Sequence, residues 1–211
     1  MIYQNKTMKK IVNESLNEWL NEQKEREEPT YGCVMLDSNM KEWDSIHLGG
    51  IDPKDVYKKP LDDSYGLEDN PHVTILYGIH EDDVTPEQMI NVIEESMEEV
   101  IVMISEISIF EKEEYDVVKY DIPVTKQLLG YRKMFVNNFE NTQSFPFHPH
   151  MTIAYVKPGM GKKYVSNLDE PFEITFNKGV YSWHEKGEDG NVKMKRKEYI
   201  FKDKEDEDYV L

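Results

Sequence analysis

The chain has 211 residues, of which 38% are hydrophobic and 11% aromatic, enough for one packed domain or for one domain made of two similar lobes. Its formal net charge of −17 disfavours a protein that grips long DNA or RNA, because such proteins turn a basic face toward the phosphates. There is no run of 18 apolar residues and no apolar secretory start, so we expect no membrane span, and the single cysteine excludes an internal disulfide framework and is typical of the cytoplasm.

The first predicted element is a helical arm. Apolar residues within 8–28 fall on one helical face, and Pro29 ends the pattern. We expect this arm to pack on protein rather than on a membrane, because glutamates fill its polar side. A strand is predicted from Tyr31 to Asp37, followed by an irregular stretch rich in Gly, Pro and Asp that runs to Asn70.

The middle of the chain alternates strands and helices. A strand is predicted at His72–Gly78, and Thr85 with Gln88 forms the signature of a capped helix start. Strands are predicted near 100–110 and 115–121, and Pro123 is predicted to begin a second helix. The predicted buried faces are Met89, Ile93 and Met97 in the first helix, and Val124, Leu128, Tyr131, Phe135 and Phe139 in the second.

The last third of the chain repeats the order of the middle. A short strand is predicted at His150–Val156, then a turn of helix, then strands near 171–183 and 192–201 joined by a turn at 187–191. The unit strand-helix-strand-strand therefore occurs twice. This repetition predicts an α+β fold with two lobes, related by a pseudo-two-fold around a central cleft.

The predicted domain organisation has three parts. The helical arm occupies residues 1–28, a single bilobal domain occupies 29–202, and an acidic tail occupies 203–211. The tail is expected to be frayed, because the stretch from Lys202 to Asp208 is nearly all charged.

Two matching segments carry the predicted chemistry. Residues 71–77 (PHVTILY) align with residues 149–155 (PHMTIAY), and five of the seven positions are identical. Six histidines and eight threonines would give only about 0.2 His-x-Thr pairs by chance. On a strand, residues two apart share a face, so each segment is expected to offer an imidazole and a hydroxyl to the cleft. The residues expected to be buried on the opposite face are Val73, Ile75, Tyr77, Met151, Ile153 and Tyr155.

His72 and His150 are the predicted catalytic residues, with Thr74 and Thr152. Two facing imidazoles suit in-line displacement at phosphorus, where one takes a proton from the nucleophile and the other gives one to the leaving oxygen. The threonine hydroxyls can hold the non-bridging phosphate oxygens. Which histidine is the base stays open.

We expect no metal and no cofactor. One cysteine excludes a zinc site built on several thiolates. His148 forms a His-x-His pair with His150, which can ligate a metal, but no second histidine cluster or paired-carboxylate motif supports that reading.

These two motifs resemble the paired His-x-Thr tetrads of the 2H phosphoesterase superfamily, which has the LigT-like fold. The segments 31–36, 51–57 and 65–68 also resemble the phage-encoded anti-CBASS nucleases of that superfamily. This resemblance covers roughly residues 30–200. It implies metal-independent cleavage of 3',5' bonds in cyclic di- or trinucleotide messengers such as 3',3'-cGAMP, with the 2'-hydroxyl as nucleophile. It further implies action in the cytoplasm of a bacterial host, where such cleavage would counter the CBASS antiviral defence.

Substrate contacts are predicted at three further positions. Tyr31 and Trp183 are aromatic candidates for stacking on a base, and Glu185 could read a base edge. The expected partner is thus a cyclic di- or trinucleotide and not a long nucleic acid or a membrane, while the sequence leaves the oligomeric state open. Two alternatives remain: a 2',3'-cyclic phosphodiesterase or ligase acting on RNA ends, and a protein that sequesters a nucleotide without cleaving it.

Overall fold

The computed structural model describes residues 30–38, 43, 50–60, 65–142, 144–186 and 192–201. The predicted arm at 1–28, the turn at 187–191 and the acidic tail at 203–211 lie outside the described residues. Every element given below belongs to one unit of the chain, residues 31–211. None of the described helices is long and apolar enough to cross a membrane.

The described part of the chain contains eight strands and two α-helices, with a short 3₁₀ turn at Glu81–Asp83 and another at Gly161–Tyr164. In chain order the elements are β1 (Tyr31–Asp37), β2 (His72–His80), α1 (Pro86–Ser96), β3 (Val100–Glu111), β4 (Asp116–Asp121), α2 (Lys126–Asn138), β5 (His150–Val156), β6 (Ser166–Phe176), β7 (Lys178–Lys186) and β8 (Val192–Ile200).

The strands form two antiparallel sheets of four strands each. The order in the first sheet is β2-β1-β7-β8, and in the second it is β5-β4-β3-β6. Each predicted His-x-Thr strand is thus the outermost member of its sheet, and β2 and β5 contact each other. The predicted α+β architecture with two lobes is confirmed.

Helix α1 covers one face of the first sheet. Its start is fixed by a capping box, in which the Gln88 amide N–H donates to Thr85 Oγ1 (3.2 Å) and the Thr85 amide N–H donates to Gln88 Oε1 (2.9 Å). The predicted apolar stripe is buried, and Ile93 lies so close to Gly179 of β7 that a Cβ on Gly179 would clash with it. The side chains of the first His-x-Thr motif project from the other face of this sheet.

Helix α2 begins later than predicted. Pro123 and Val124 precede it, and Val124 is 55% exposed rather than buried. The start lies at Thr125, whose Oγ1 accepts a hydrogen bond from the Leu128 amide (3.1 Å), because a threonine cap satisfies an amide that the first turn leaves free. Leu128, Tyr131 and Phe135 are buried as predicted, and Phe139, half-buried, stacks on Phe135.

The single strand predicted near 171–183 is two strands, β6 in the second sheet and β7 in the first. The chain crosses between the sheets at Asn177, whose amide donates to Asp37 O (3.1 Å) and whose carbonyl accepts from the Phe201 amide (2.9 Å). The alternation of apolar residues continues through this crossing, so periodicity alone gave no sign of it.

The prediction that Tyr77 is buried is wrong. The register of β2 against β1 shifts twice, and the extra residues let Ile75 and Leu76 both be buried. Tyr77 is thereby moved to the face that carries Thr74, where it is 54% exposed. In β5, Tyr155 is half-buried against the rings of Tyr65 and Tyr115.

Candidate active site

His72 and His150 occupy equivalent positions, each as the first residue of its strand. His72 Nδ1 lies 2.9 Å from Asn70 O, and His150 Nδ1 lies 2.8 Å from His148 O. A carbonyl oxygen only accepts hydrogen bonds, so in both rings Nδ1 carries the proton. Nε2 of each imidazole is then the nitrogen left to accept or donate a proton.

The backbone around the two histidines repeats the same pattern. In the first sheet the Ser38 amide donates to Pro71 O (3.0 Å), and in the second the Ile122 amide donates to Pro149 O (3.1 Å). These bonds join each His-x-Thr strand to its inner neighbour directly before the histidine. The pseudo-two-fold therefore holds at the level of single hydrogen bonds.

An aspartate lies beside each histidine on the neighbouring strand. Asp37 of β1 is the register partner of His72, and Asp121 of β4 is the register partner of His150. We use the term first half-site for His72, Thr74, Asp37 and Arg196, and the term second half-site for His150, Thr152, Asp121 and Lys119.

Asp37 is the buried acid of the first half-site. It is 6% exposed and forms an ion pair with Arg196 through Oδ2, while Oδ1 is buried without a hydrogen-bond partner among the described residues. Burial raises the pKa of Asp37, against the attraction of the Arg196 and His72 charges. The first half-site thus places a carboxylate group directly across from its histidine.

Lys119 is the buried cation of the second half-site. It is 4% exposed, pairs with Asp121, and donates to Ser108 Oγ (2.6 Å). Its Nζ lies 4.3 Å from the ring centroid of Phe110, and that ring meets the His150 ring edge-on at 4.9 Å. The Phe110 ring therefore contacts both the Lys119 ammonium and the His150 imidazole.

These surroundings change the acidity of His150. Burial lowers the pKa of His150, and the hydrogen bond to the His148 carbonyl opposes that effect. The positive charges of Lys119 and His72 lower this pKa further, and Asp121 raises it. The two imidazoles lie on strands that contact each other, β2 and β5.

The two threonines differ in their access to the cleft. Thr74 lines it directly, whereas Thr152 is 8% exposed on β5. Cys33 lies beside Thr74, and burial raises the pKa of its thiol to about 12, although a hydrogen bond with Thr74 opposes the rise. At neutral pH this cysteine is therefore a protonated, packed thiol and not a nucleophile.

A cleft of about 360 Å³ brings the two motifs together, with Thr74 from the first and His150 from the second in its wall. The rest of the wall is aromatic and cationic: Phe110, Lys112, Arg132, Phe145, Pro146, Phe147 and His148. Aromatic rings stack on bases and cations attract phosphates, so this wall has the composition of a nucleotide site.

Arg132 of α2 holds the segment that forms one side of the cleft. Its guanidinium donates to Ile75 O (2.9 Å) and to Phe145 O (3.4 Å), and lies 4.9 Å from the ring centroid of Phe147. Phe145 is 75% exposed at the mouth of the cleft, the arrangement of a ring open to a stacking partner.

Tyr31 lies on the same face of β1 as Asp37, and its ring meets that of His80 edge-on at 5.6 Å. The structure therefore brings Tyr31 to the face of the first half-site, further along the strand. Glu185 is exposed and pairs with Lys195 (3.3 Å). The role of both residues in binding stays a prediction.

Trp183 lies on the opposite face of the first sheet. Its ring stacks on Tyr181 (5.7 Å between centroids, 15° between planes), and both share the face of Gly179, which α1 covers. Glu185 alternates onto that face too, so the structure does not bring Trp183 or Glu185 together with His72. A local sequence pattern could not reveal this, because the face depends on the register of β7 against β1.

Several residues of the site were missed by the sequence analysis, and some had a signal. Lys119 is a lysine inside the apolar run Val117-Val118-Lys119-Tyr120, which marks a paired or functional charge. The segment Phe145-Pro146-Phe147 stands directly before the second motif, and its aromatic residues were an observable sign of a platform. Arg132 had no such sign.

His148 lines the cleft beside His150, the pair that could have ligated a metal. Among the residues that the structure describes, no three His, Cys, Asp or Glu side chains are grouped as a metal site would need. His148 instead contributes its carbonyl oxygen, which orients the His150 ring.

Comparison with known proteins agrees with this geometry. Residues 41–187 match the family model of the 2'-5' RNA ligase superfamily. The chain belongs to that superfamily. Among curated proteins no match was found. This is the superfamily of the LigT-like 2H phosphoesterases, and membership of it supports a phosphodiesterase-type activity.

Solved structures share the fold of this superfamily member at low sequence identity. E. coli LigT complexed with 3'-AMP superposes with a TM-score of 0.52 at 11% identity, covering 83% of this chain and 100% of LigT. E. coli LigT complexed with ATP gives a TM-score of 0.50 at 12% identity, with 83% and 100% covered. The apo form gives 0.50 at 11% identity, with 84% and 100% covered.

Proposed function

We propose that this 2H phosphoesterase cleaves 3',5' phosphodiester bonds in cyclic di- or trinucleotide messengers, such as 3',3'-cGAMP, and so counters the CBASS antiviral defence of a bacterial host. The observation that carries the proposal is the pair of imidazoles whose Nδ1 atoms are both tied to a carbonyl two residues upstream. This arrangement leaves both Nε2 atoms available for proton transfer, on two strands that contact each other.

The proposed chemistry needs only this pair. One imidazole takes the proton of the ribose 2'-hydroxyl, and O2' attacks the adjacent phosphorus. The P–O5' bond breaks, and the second imidazole gives its proton to O5'. Thr74 and Thr152 donate to the non-bridging oxygens, where charge accumulates. The first product carries a 2',3'-cyclic phosphate, which water can open when the two imidazoles exchange roles.

The size and lining of the cleft support a small nucleotide. At about 360 Å³ it falls within the usual range of small-molecule sites, and Phe110, Phe145 and Phe147 offer rings to bases. Lys112 and Arg132 add positive charge in a chain whose net charge is −17. Local positive charge within an acidic protein favours an enclosed anion over a long polyanion. E. coli LigT, which has the same fold, has been crystallised with 3'-AMP and with ATP.

Two of the three segments that resemble the anti-CBASS nucleases, 51–57 and 65–68, contact the second motif strand. The Tyr57 amide donates to Tyr155 O (2.9 Å) and the Glu68 amide to Ile153 O (3.0 Å), while the Tyr155 amide donates to Gly66 O (2.7 Å). These bonds run along the outer edge of β5. The resemblance therefore falls on residues that hold His150 and Thr152 in place, which supports reading it as part of the site.

The competing function within the superfamily is action on RNA ends. The family description names RNA ligation, and a 2',3'-cyclic phosphate end presents the same reacting atoms. Incubation with 3',3'-linked cyclic dinucleotides, cyclic trinucleotides and RNA bearing a 2',3'-cyclic end, followed by mass spectrometry, separates the two. We expect linear products with a terminal phosphate from the cyclic nucleotides. Intact cyclic nucleotides beside a readily opened RNA end would overturn the substrate assignment.

Two controls bear on the mechanism. A cyclic dinucleotide with 2'-deoxyribose at the cleaved linkage should bind and stay intact, because it lacks the nucleophile. Activity should persist in excess EDTA, since the proposed site is complete without a Lewis acid. Loss on chelation that added divalent metal restores would contradict the two-imidazole mechanism and revive His148 and His150 as ligands.

A further inference from the structure

We propose that the two imidazoles have fixed roles in the first cleavage: His150 takes the proton from the nucleophile, and His72 gives a proton to the leaving oxygen. Lys119 and Asp37 are the positioning residues that set this order. The inference rests on the proposed function in one respect, that both imidazoles act on one phosphodiester.

The second half-site surrounds His150 with positive charge. Lys119 of β4 is buried against the Phe110 ring that touches His150, and it outweighs its partner Asp121 in its effect on the imidazole. The Lys112 and Arg132 side chains line the same cleft from β3's end and from α2. Positive charge on these three elements disfavours a second proton on His150, so its Nε2 keeps the lone pair that a base needs.

The first half-site surrounds His72 with a different balance. Asp37 of β1 lies directly across from His72, and one of its carboxylate oxygens is buried with no partner among the described residues. Arg196 of β8 pairs with Asp37 and also lies 3.5 Å from Glu198, which Lys178 of β7 contacts at 3.1 Å. Two acids and two bases thus alternate beside His72. The acid across from His72 is 6% exposed, whereas the side chain of its counterpart across from His150, Asp121, is 34% exposed. A buried carboxyl group across from His72, in place of a buried cation, favours His72 as the partner that gives the proton.

The proposed charge order, with His150 as the neutral imidazole and His72 as the charged one, does not come from a difference in the hydrogen bonds that the two rings make. Both imidazoles make the same Nδ1 hydrogen bond to a carbonyl, at 2.9 and 2.8 Å. What differs is the buried charge behind each ring, an acid in the first sheet and a lysine in the second. Lys119 and Asp37 therefore act through the histidines, not on the substrate.

Titration of the histidine rings tests the charge order without any substrate. The measurement is NMR of protein labelled with ¹⁵N-histidine, followed across pH. Lys119→Met should raise the pKa of His150, since a nearby positive charge that lowers it is removed. Lys119→Arg should restore the original titration, and Lys162→Met, at an exposed lysine paired with Glu111, should leave it unchanged. A His150 titration that Lys119→Met leaves unmoved would overturn the assignment of Lys119.

The roles themselves are separated by a leaving group that needs no proton. A ribonucleoside 3'-(4-nitrophenyl phosphate) keeps the 2'-hydroxyl nucleophile but releases nitrophenolate. On this ester His72→Ala should stay within about tenfold of the parent rate, while on an alkoxide-leaving phosphodiester it should lose roughly 10²–10⁴-fold. His150→Ala should be impaired on both esters. The opposite pattern would reverse the roles. A parent protein that cleaves neither ester would contradict the proposed function, and the ring titrations would still decide the charge order.

Discussion

The two half-sites share a backbone and differ in charge. In both, a histidine opens the outermost strand, its Nδ1 is bonded to a carbonyl two residues upstream, and an aspartate lies across from it on the next strand. In the first half-site the cation that pairs with this aspartate is Arg196, which comes from β8. In the second half-site it is Lys119, which lies on β4, the same strand as the aspartate. Arg196 reaches its partner from two strands away, whereas Lys119 is on the same strand as Asp121 and lies against the Phe110 ring that meets His150.

This difference shows how a symmetric frame can serve an asymmetric reaction. Proton transfer to and from one phosphodiester needs one imidazole neutral and the other charged at the same moment. A repeated backbone gives the two rings equal geometry, so the distinction must come from side chains outside the repeat. Asp37 and Lys119 are the buried groups in a position to make it.

The largest expected effect comes from removing either imidazole. His72→Ala and His150→Ala should each lower kcat/KM for the phosphodiester by roughly 10²–10⁴-fold, because each ring performs one of two proton transfers. The double variant should be little worse than either single one, since the two rings act as a unit. His80→Ala, on the same strand as His72, is the matched control, with melting temperature recorded for all four proteins.

A large activity left in either single variant would break the equivalence of the two half-sites. It would mean that the remaining imidazole carries both transfers or that another group replaces the missing one. Equal melting temperatures would show that the loss is chemical and not a loss of folding.

A smaller effect is expected at the threonines, and it should be unequal. Thr74→Val removes a hydroxyl that lines the cleft, and we expect a loss of about tenfold in kcat, the scale of one hydrogen bond to a charged oxygen. Thr152 is more buried, so Thr152→Val should cost less. Thr74→Ser and Thr152→Ser keep the hydroxyl and should retain most of the parent rate. Losses of equal size would show that both hydroxyls reach the phosphate equally.

Much of this site was readable from the sequence because its pattern is local. The alternation of faces along a strand is enough to place the His and Thr of a His-x-Thr motif on one side. The repeat at 71–77 and 149–155 predicted two such strands. The capped start of α1 was equally local, since Thr85 and Gln88 are three residues apart. Both predictions survive because no distant part of the chain decides them.

The remaining features depend on contacts between distant segments. Asp37 and Arg196 are 159 positions apart in the chain, so no spacing rule could have paired them. The exposure of Tyr77 follows from a register shift against β1, and the crossing at Asn177 follows from the pairing of β6 and β7 with different sheets. The position of Trp183, on the face of the first sheet opposite to His72, likewise follows from the register of β7 against β1.

Substitutions at two glycines test whether the two sheets unfold together. Gly179→Ala adds a methyl group against Ile93 beneath the first sheet, and overpacking of this kind costs about 1–3 kcal/mol of unfolding free energy. Gly130→Ala, in α2, meets no atom within 4 Å, and should stabilise by about 0.5–1 kcal/mol because alanine favours a helix. Denaturant unfolding followed by tryptophan fluorescence and by circular dichroism measures both. The unfolding transitions followed by the two probes should coincide. A split transition in Gly179→Ala would show that the two sheets unfold separately.

The smallest expected effect is a pH dependence of stability that belongs to the second half-site alone. Burial and the charge of Lys119 lower the pKa of His150 in the folded protein, whereas the unfolded chain binds that proton with a pKa of about 6.5. Between these two values the unfolded state holds more protons, so the free energy of unfolding rises with pH and levels off above the unfolded value. As pH falls below about 6.5, stability from this group is lost.

His150→Gln removes the titrating ring and isolates its contribution. The difference in unfolding free energy between the parent protein and this variant should change as pH is lowered through about 6.5, in the direction that favours the variant at lower pH. Other groups, such as the buried Asp37, titrate in both proteins and cancel in the difference. Urea unfolding at half-unit steps of pH, at constant ionic strength, gives the comparison. A difference that stays constant from pH 8 to 5 would show that His150 is not held neutral by its surroundings, and the charge contrast between the two half-sites would lose its basis.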